Sequence, residues 1–343
     1  MKTSAFFLLP LIQSALAIGF YAIDANCNDA EKAGIEKAMG AAIDRAKAAR
    51  DRLSNPDDLT DRAFKVVFGE SWSQKGLQDQ INFAKNFMGA IADIGREPVT
   101  TPQAFLWRPS GGRNWDNIEI WCSADDKRFV AIEGATDERG EQLWEDAIAI
   151  MNRPQWENKG VELRRHGHRG EVYQPPDGLD MDAEAVTRRY ENKIDPNRPA
   201  TSDNLRSGGR AASIDVFKTW RDQWSAKGWP ILTREFVEKA RLPEELSKIE
   251  EEWKKQTDKE FRQVEALMMP EHVMLHELFH TKHGGRKQDK GTLDHPDCYG
   301  FSCVTAIKQT QNADSMAYLG LLLQLLDWGY MVNADGVIIK HAV

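Results

Sequence analysis

The sequence predicts a helix-rich α+β fold with a small antiparallel sheet. Three observations lead there. Apolar residues recur at helical spacing over long stretches, three short β-type runs cluster between residues 104 and 132, and the C-terminal third reads as mostly helix. The chain has 343 residues, enough for one large domain or two ordinary ones, with a core that needs no staples. Hydrophobic residues make up 41% and charged residues 29%, a water-facing globular composition. Against 53 acidic residues stand 45 basic ones, a net charge of -8. A net negative chain is a poor partner for nucleic acid and a poor anchor on anionic lipid, which sets those functions aside.

The elements follow in chain order. Lys2 precedes an apolar stretch, Ala5 to Ala17, that ends in Ala15-Leu16-Ala17. That is the pattern of a secretory signal peptide, and the stretch is too short to span a bilayer, which takes about 20 residues. The expected mature chain runs from Ile18 to Val343 as one domain, in a secreted, extracellular setting with no membrane anchor. Ala30–Leu53 carries Ile35, Met39, Ile43 and Ala46 at helical spacing, and Leu77–Ile94 repeats the pattern. Ala104–Trp107, Ile118–Cys122 and Arg128–Ile132 read as strands, and Glu141–Met151 as helix. From Asn152 to Ser213 the chain is rich in proline, glycine and arginine. Pro175-Pro176-Asp177-Gly178 and Asp195-Pro196-Asn197-Arg198-Pro199 break any regular element. This stretch reads as an exposed insertion with disordered character. Helical periodicity returns at Ile214–Ala226 and Arg234–Leu267, interrupted at Pro243. Met316–Leu326, apolar but too short to span and carrying Gln324, reads as a core helix.

Four cysteines, Cys27, Cys122, Cys298 and Cys303, form an even set that in a secreted protein implies two disulfides. Three pairings are open. No C-x-x-C pair is present, which argues against a cysteine zinc site, and no Asn-x-Ser/Thr sequon occurs.

The chemistry concentrates at His276-Glu277-Leu278-Phe279-His280. On a helix, positions i and i+4 face the same way, so both imidazoles can bind one metal ion. Glu277 then lies beside the metal, placed to take a proton from the attacking water and pass it to the leaving amine. The flanks Val273, Met274, Leu275, Leu278 and Phe279 suit a buried helix. Pro270 and Glu271 suit its first turn, and Gly284-Gly285 its stop. Hydrolytic zinc takes three protein ligands and one open position. No Glu follows Glu277, and the position ten residues after His276 is Arg286. The third ligand is therefore an Asp or His from Asp289, Asp294, Asp297, His283 and His295, with Asp314 and His341 further away.

Gly291-Thr292-Leu293-Asp294-His295-Pro296-Asp297-Cys298-Tyr299-Gly300 resembles the Gly-Thr-x-Asp-x-x-Tyr-Gly element of the deuterolysin-like peptidases. These are the fungal aspzincins, zinc metallopeptidases that include lysine-specific metallo-endopeptidase-like domains. Gln311-Asn312-Ala313-Asp314-Ser315 is similar to a stretch on a later helix of fungal relatives, and Ile118–Cys122 is similar, more loosely, to the strand before their catalytic helix. The matched region is about 271–318. The resemblance implies a zincin-type metallopeptidase whose HExxH helix carries the active site, with Zn2+ held by His276, His280 and the motif aspartate. It further implies that Tyr299 hydrogen-bonds the substrate carbonyl as negative charge develops, and that the partners are protein or peptide substrates. The family separates its Asp and Tyr by three positions, whereas Asp294 and Tyr299 are five apart here. The Gly-Thr-x-Asp register favours Asp294 over Asp297. Some relatives carry Arg in place of the motif Glu and lack the base. A secreted or cell-surface zinc-binding or interaction protein of the same fold is the other class the resemblance allows, and the presence of Glu277 favours the enzyme.

Overall fold

The computed structural model describes residues 19–23, 27–71, 78–96, 117–122, 129–136, 142–146, 185–188, 212–256, 260–292 and 295–341. Residues 1–18, where a signal peptide is expected, Ala104–Trp107, Asp294 and most of 152–213 lie outside the described residues.

Strand β1 (Phe20–Ile23) leads into helix α1 (Asp29–Ser54). Asn28 caps α1 by accepting from the Glu31 amide at 3.0 Å, while the Glu31 carboxylate accepts from the Asn28 amide at 2.8 Å. This reciprocal pair satisfies two amides that a helix end leaves orphaned. The predicted apolar stripe of α1 is inward: Ile35, Met39 and Ala46 are buried and Ile43 packs against the same core. Helices α2 (Asp58–Phe68) and α3 (Gln78–Ala92) follow, then strands β2 (Gly95–Arg96), β3 (Ile118–Cys122), β4 (Phe129–Thr136) and β5 (Gln142–Asp146). Next come β6 (Ala185–Arg188), β7 (Ala212–Val216), α4 (Lys218–Ala226), α5 (Arg234–Ala240), α6 (Pro243–Gln256) and a 3-10 turn at Gln263–Leu267. The C-terminal part holds α7 (Pro270–His280), β8 (Lys290–Thr292), β9 (His295–Asp297), α8 (Phe301–Ile307), α9 (Ala313–Asp327), β10 (Tyr330–Val332) and β11 (Ile338–Lys340). Pro243 and Pro270 each begin a helix. Proline's fixed φ and missing N–H are tolerated there, so Pro243 starts α6 and does not merely interrupt.

The main sheet has the order β2-β1-β3-β7-β6. Antiparallel pairing occurs at its β6–β7 edge and in three two-stranded ribbons, β4–β5, β8–β9 and β10–β11. The other pairings of the main sheet are parallel. Parallel neighbours need long crossovers, and helices α1, α2 and α3 fill the one between β1 and β2. Ile118, Ile120 and Cys122 stand opposite Ala212, Ile214 and Val216, and all six are buried. That alternation points one face of the sheet at the helices. Helix α1 packs on α3, α7 and α9, and α7 packs on β6.

Two sequence expectations are corrected. Glu141–Met151 was expected to be helical, but Gln142–Asp146 is a strand paired with β4. Ile214–Ala226 was expected to be one helix, but Ile214–Val216 belongs to β7 and the helix starts at Lys218. In both, pairing with a neighbouring strand overrides a weak local helical preference. The stretch 152–213 also contributes β6 and the first residues of β7 to the sheet. Met316–Leu326 lies within α9, where every residue from Ala313 to Leu323 is buried, as a core helix should be.

The disulfides are Cys27–Cys122, which ties the start of α1 to the end of β3, and Cys298–Cys303, which closes a small loop around Tyr299 and Gly300. Among the described residues no helix is long and apolar enough to cross a membrane.

Candidate metal centre

All eleven residues of α7 are buried. The helix threads between α1, α9 and β6, so His276 and His280 meet the protein interior with little access to water. His276 and His280 sit one turn apart, and their Nε2 atoms lie 3.1 Å from each other. Asp289 completes the group: its Oδ1 is 3.0 Å from His276 Nε2 and 3.2 Å from His280 Nε2.

The chain delivers Asp289 by doubling back at the end of α7. The Arg286 amide donates to the Thr281 carbonyl and the Lys287 amide to the Phe279 carbonyl, each at 2.8 Å. Gly284 and Gly285 permit this reversal. A Cβ on Gly284 would stand 2.1 Å from the Phe279 Cα, and Gly285 has φ +81 against the Phe87 ring. The Asp289 carbonyl then accepts from the Cys298 amide at 2.9 Å, and the ribbon β8–β9 continues from it.

Each imidazole is oriented by the partner of its other nitrogen. His276 Nδ1 lies 3.2 Å from Asp314 Oδ1, and a carboxylate only accepts, so the ring donates there and turns its Nε2 lone pair toward Asp289. His280 Nδ1 donates to the Lys287 carbonyl at 2.8 Å, with the same consequence. Asp314 also accepts from His272 Nε2 at 3.3 Å and from the Gly300 amide at 2.7 Å. Burial works against ionised Asp314, but hydrogen bonds from His272 and His276 hold it well below the usual carboxylate range. Asp289 is likewise held low, burial being outweighed by His276 and His280. Burial disfavours a charged His276, yet Asp289 and Asp314 raise its pKa well above the ordinary imidazole value.

Two Nε2 atoms and one carboxylate oxygen thus converge within 4.8 Å of one another. Asp289 Oδ1 is buried and stands within 3.2 Å of both Nε2 atoms. Such a cluster of lone pairs fits a cation. Tetrahedral zinc with bonds near 2.0–2.1 Å separates its ligand atoms by about 3.3 Å, close to the distances found here. His276, His280 and Asp289 can therefore hold a metal ion.

Of the other residues singled out from the sequence, Glu277, next to His276 in the chain, is buried and its carboxylate meets the Thr187 hydroxyl. The Tyr299 ring stands beside His276, centroids 5.7 Å apart, and is 42% exposed. Asp314 meets His276 on the side away from the ligand nitrogen. His295 and Asp297 lie on β9, and His283 in the turn after α7. Sequence reasoning missed His272, although its i−4 spacing from His276 was visible. It also missed Thr187, whose hydroxyl contacts Glu277, and the Lys287 carbonyl, which no sequence pattern marks. No protein-family model, curated protein or solved structure matches the chain.

Proposed function

We propose that the protein is a secreted zinc-dependent endopeptidase of zincin type, related to the deuterolysin-like family. The convergence of His276, His280 and Asp289, with Glu277 adjacent to His276 in the chain, carries the reading. Two imidazoles and one carboxylate with an open position are the donor set of hydrolytic zinc. The ligand assignment departs from the motif register: Asp289 takes the role that the family resemblance gives to Asp294.

Zinc, when bound, would supply Lewis acidity, lowering the pKa of water and polarising the scissile carbonyl. The remaining steps belong to the protein. Asp314 and the Lys287 carbonyl hold the two imidazoles in the ligand tautomer. Glu277 takes a proton from the attacking water and returns it to the departing amine. Tyr299, half-exposed next to His276, offers its hydroxyl to the carbonyl oxygen as charge develops there. Among the described residues no strand pairs with the outer edge of β6, which runs alongside α7. An extended peptide added to that edge would lie across the site with its backbone hydrogen-bonded. Two disulfides suit an oxidising, extracellular setting.

The test is hydrolysis of casein by the purified zinc-loaded protein. Activity should disappear with a chelator and return with added zinc. Absence of hydrolysis in the loaded protein would move it to the non-proteolytic class of the same fold.

A further inference from the structure

We propose that Thr187, on the edge strand β6, is a positioning residue that clamps the Glu277 carboxylate. Thr187 lies 90 residues before Glu277 in the chain. Its Oγ1 stands 2.5 Å from Glu277 Oε2 and 3.0 Å from the Glu277 carbonyl. An ionised carboxylate only accepts, so the hydroxyl donates to Oε2. The register sets this contact. Thr187 pairs with Ile214, which is fully buried, and residues opposite one another in an antiparallel pair share a face. Thr187 is therefore directed toward the helix layer, and α7 is the helix packed on β6.

The contact divides the work of the carboxylate between its two oxygens. Oε2 is held by the hydroxyl, and Oε1 is the oxygen assigned to receive a proton. Glu carries three rotatable bonds, and an untethered carboxylate samples rotamers that face away from the histidine nitrogens. Threonine suits the task because its branched Cβ restricts χ1 and fits a strand. The same strand offers the backbone edge suited to a peptide. One short element thus fixes both the base and the place where substrate would lie.

The proposal rests on Glu277 being the base of a peptidase, and the test separates the two ideas. Thr187→Val keeps the shape and removes the hydroxyl. With an internally quenched peptide as substrate, kcat should fall about 10–100-fold, the range for a lost hydrogen bond to a charged group. KM, zinc content and melting temperature should stay near the parent's, and Thr187→Ser should recover most of the rate. Parent-like turnover in Thr187→Val, or an equal loss in Thr187→Ser, overturns the clamp. A crystal structure of each protein reads the positional claim without any activity. Glu277 should hold one rotamer in the parent and leave it in Thr187→Val. An unmoved Glu277 overturns the clamp. If Glu277 moves as expected but the zinc-loaded parent hydrolyses nothing, the clamp stands and the peptidase reading fails.

Discussion

Single residues around the two histidines divide into those that would hold the metal and those that would use it. Glu277 is next to His276 in sequence, yet its carboxylate is engaged by Thr187 and does not take part in the three-ligand cluster. Glu277→Gln should therefore keep bound zinc while losing about 10²–10⁴-fold in peptidase rate, the usual contribution of a general base. Metal analysis beside a rate measurement checks this, and a Gln variant as fast as the parent would refute the role. Asp289 is the residue whose oxygen meets both Nε2 atoms. Asp289→Ala should lose most bound zinc and Asp294→Ala should retain it. The opposite result would return the ligand role to Asp294. This pair shows how far the sequence could be read at this scale. The H-E-x-x-H spacing sufficed for His276, Glu277 and His280, because i and i+4 on one helix must share a face. It left several downstream carboxylates open, because the turn that selects Asp289 depends on backbone hydrogen bonds from Arg286 and Lys287. Thr187 was beyond reach, since only the β6–β7 register brings it to α7.

At the scale of elements, the turn between α7 and β8 is held by a buried lysine. Lys287 carries its ammonium over the rings of Phe83 and Phe87 on α3, at 4.4 and 4.8 Å, and donates to Gln311 at 3.3 Å. Its carbonyl orients His280, and Asp289 lies two residues on. Burial lowers the Lys287 pKa to about 8, against about 10.4 for an unfolded lysine. Between these two values the unfolded chain binds more protons than the folded one, so this group makes stability rise with pH across that window and levels off above it. Lys287→Met should abolish that increment. Urea midpoints of parent and variant at about pH 7.5 and 9.5 would show it: the parent's gain over this interval should exceed the variant's. Equal pH slopes would mean that Lys287 titrates as an exposed lysine. Elements also differ in how legible they were. Helix α1 and the core helix α9 carry enough residues for their apolar pattern to stand out. Strands β5 and β6 are short, and their identity comes from partners that are distant or weakly patterned in sequence.

For the whole molecule, the helix layer is tied together at one buried polar junction. Arg45 of α1 is completely buried. It donates to Glu271 at the start of α7 at 2.9 Å and to Gln324 of α9 at 2.8 Å. Glu271 also accepts from the Leu232 amide at 2.8 Å, which adds the segment before α5. Three helices that pack on one another thus share a single charge pair. Burial lowers the Arg45 pKa, with Glu271 opposing that shift. Such a pair is costly to desolvate, so its presence is weak evidence of net stabilisation, but breaking it on one side leaves a buried charge uncompensated. Arg45→Met should therefore cost about 3–5 kcal/mol of unfolding free energy. Adding Glu271→Gln, which removes the orphaned charge and keeps an acceptor for Leu232, should recover a large part. Chemical denaturation of the two variants reads both effects. Zinc affinity of the folded Arg45→Met protein should change little, because the imidazoles are oriented by Asp314 and the Lys287 carbonyl. A loss below about 1 kcal/mol in Arg45→Met would mean that water or a neighbouring group neutralises Glu271 when its partner is gone. A parallel collapse of zinc affinity would mean instead that the junction sets the position of α7 and, with it, the metal centre.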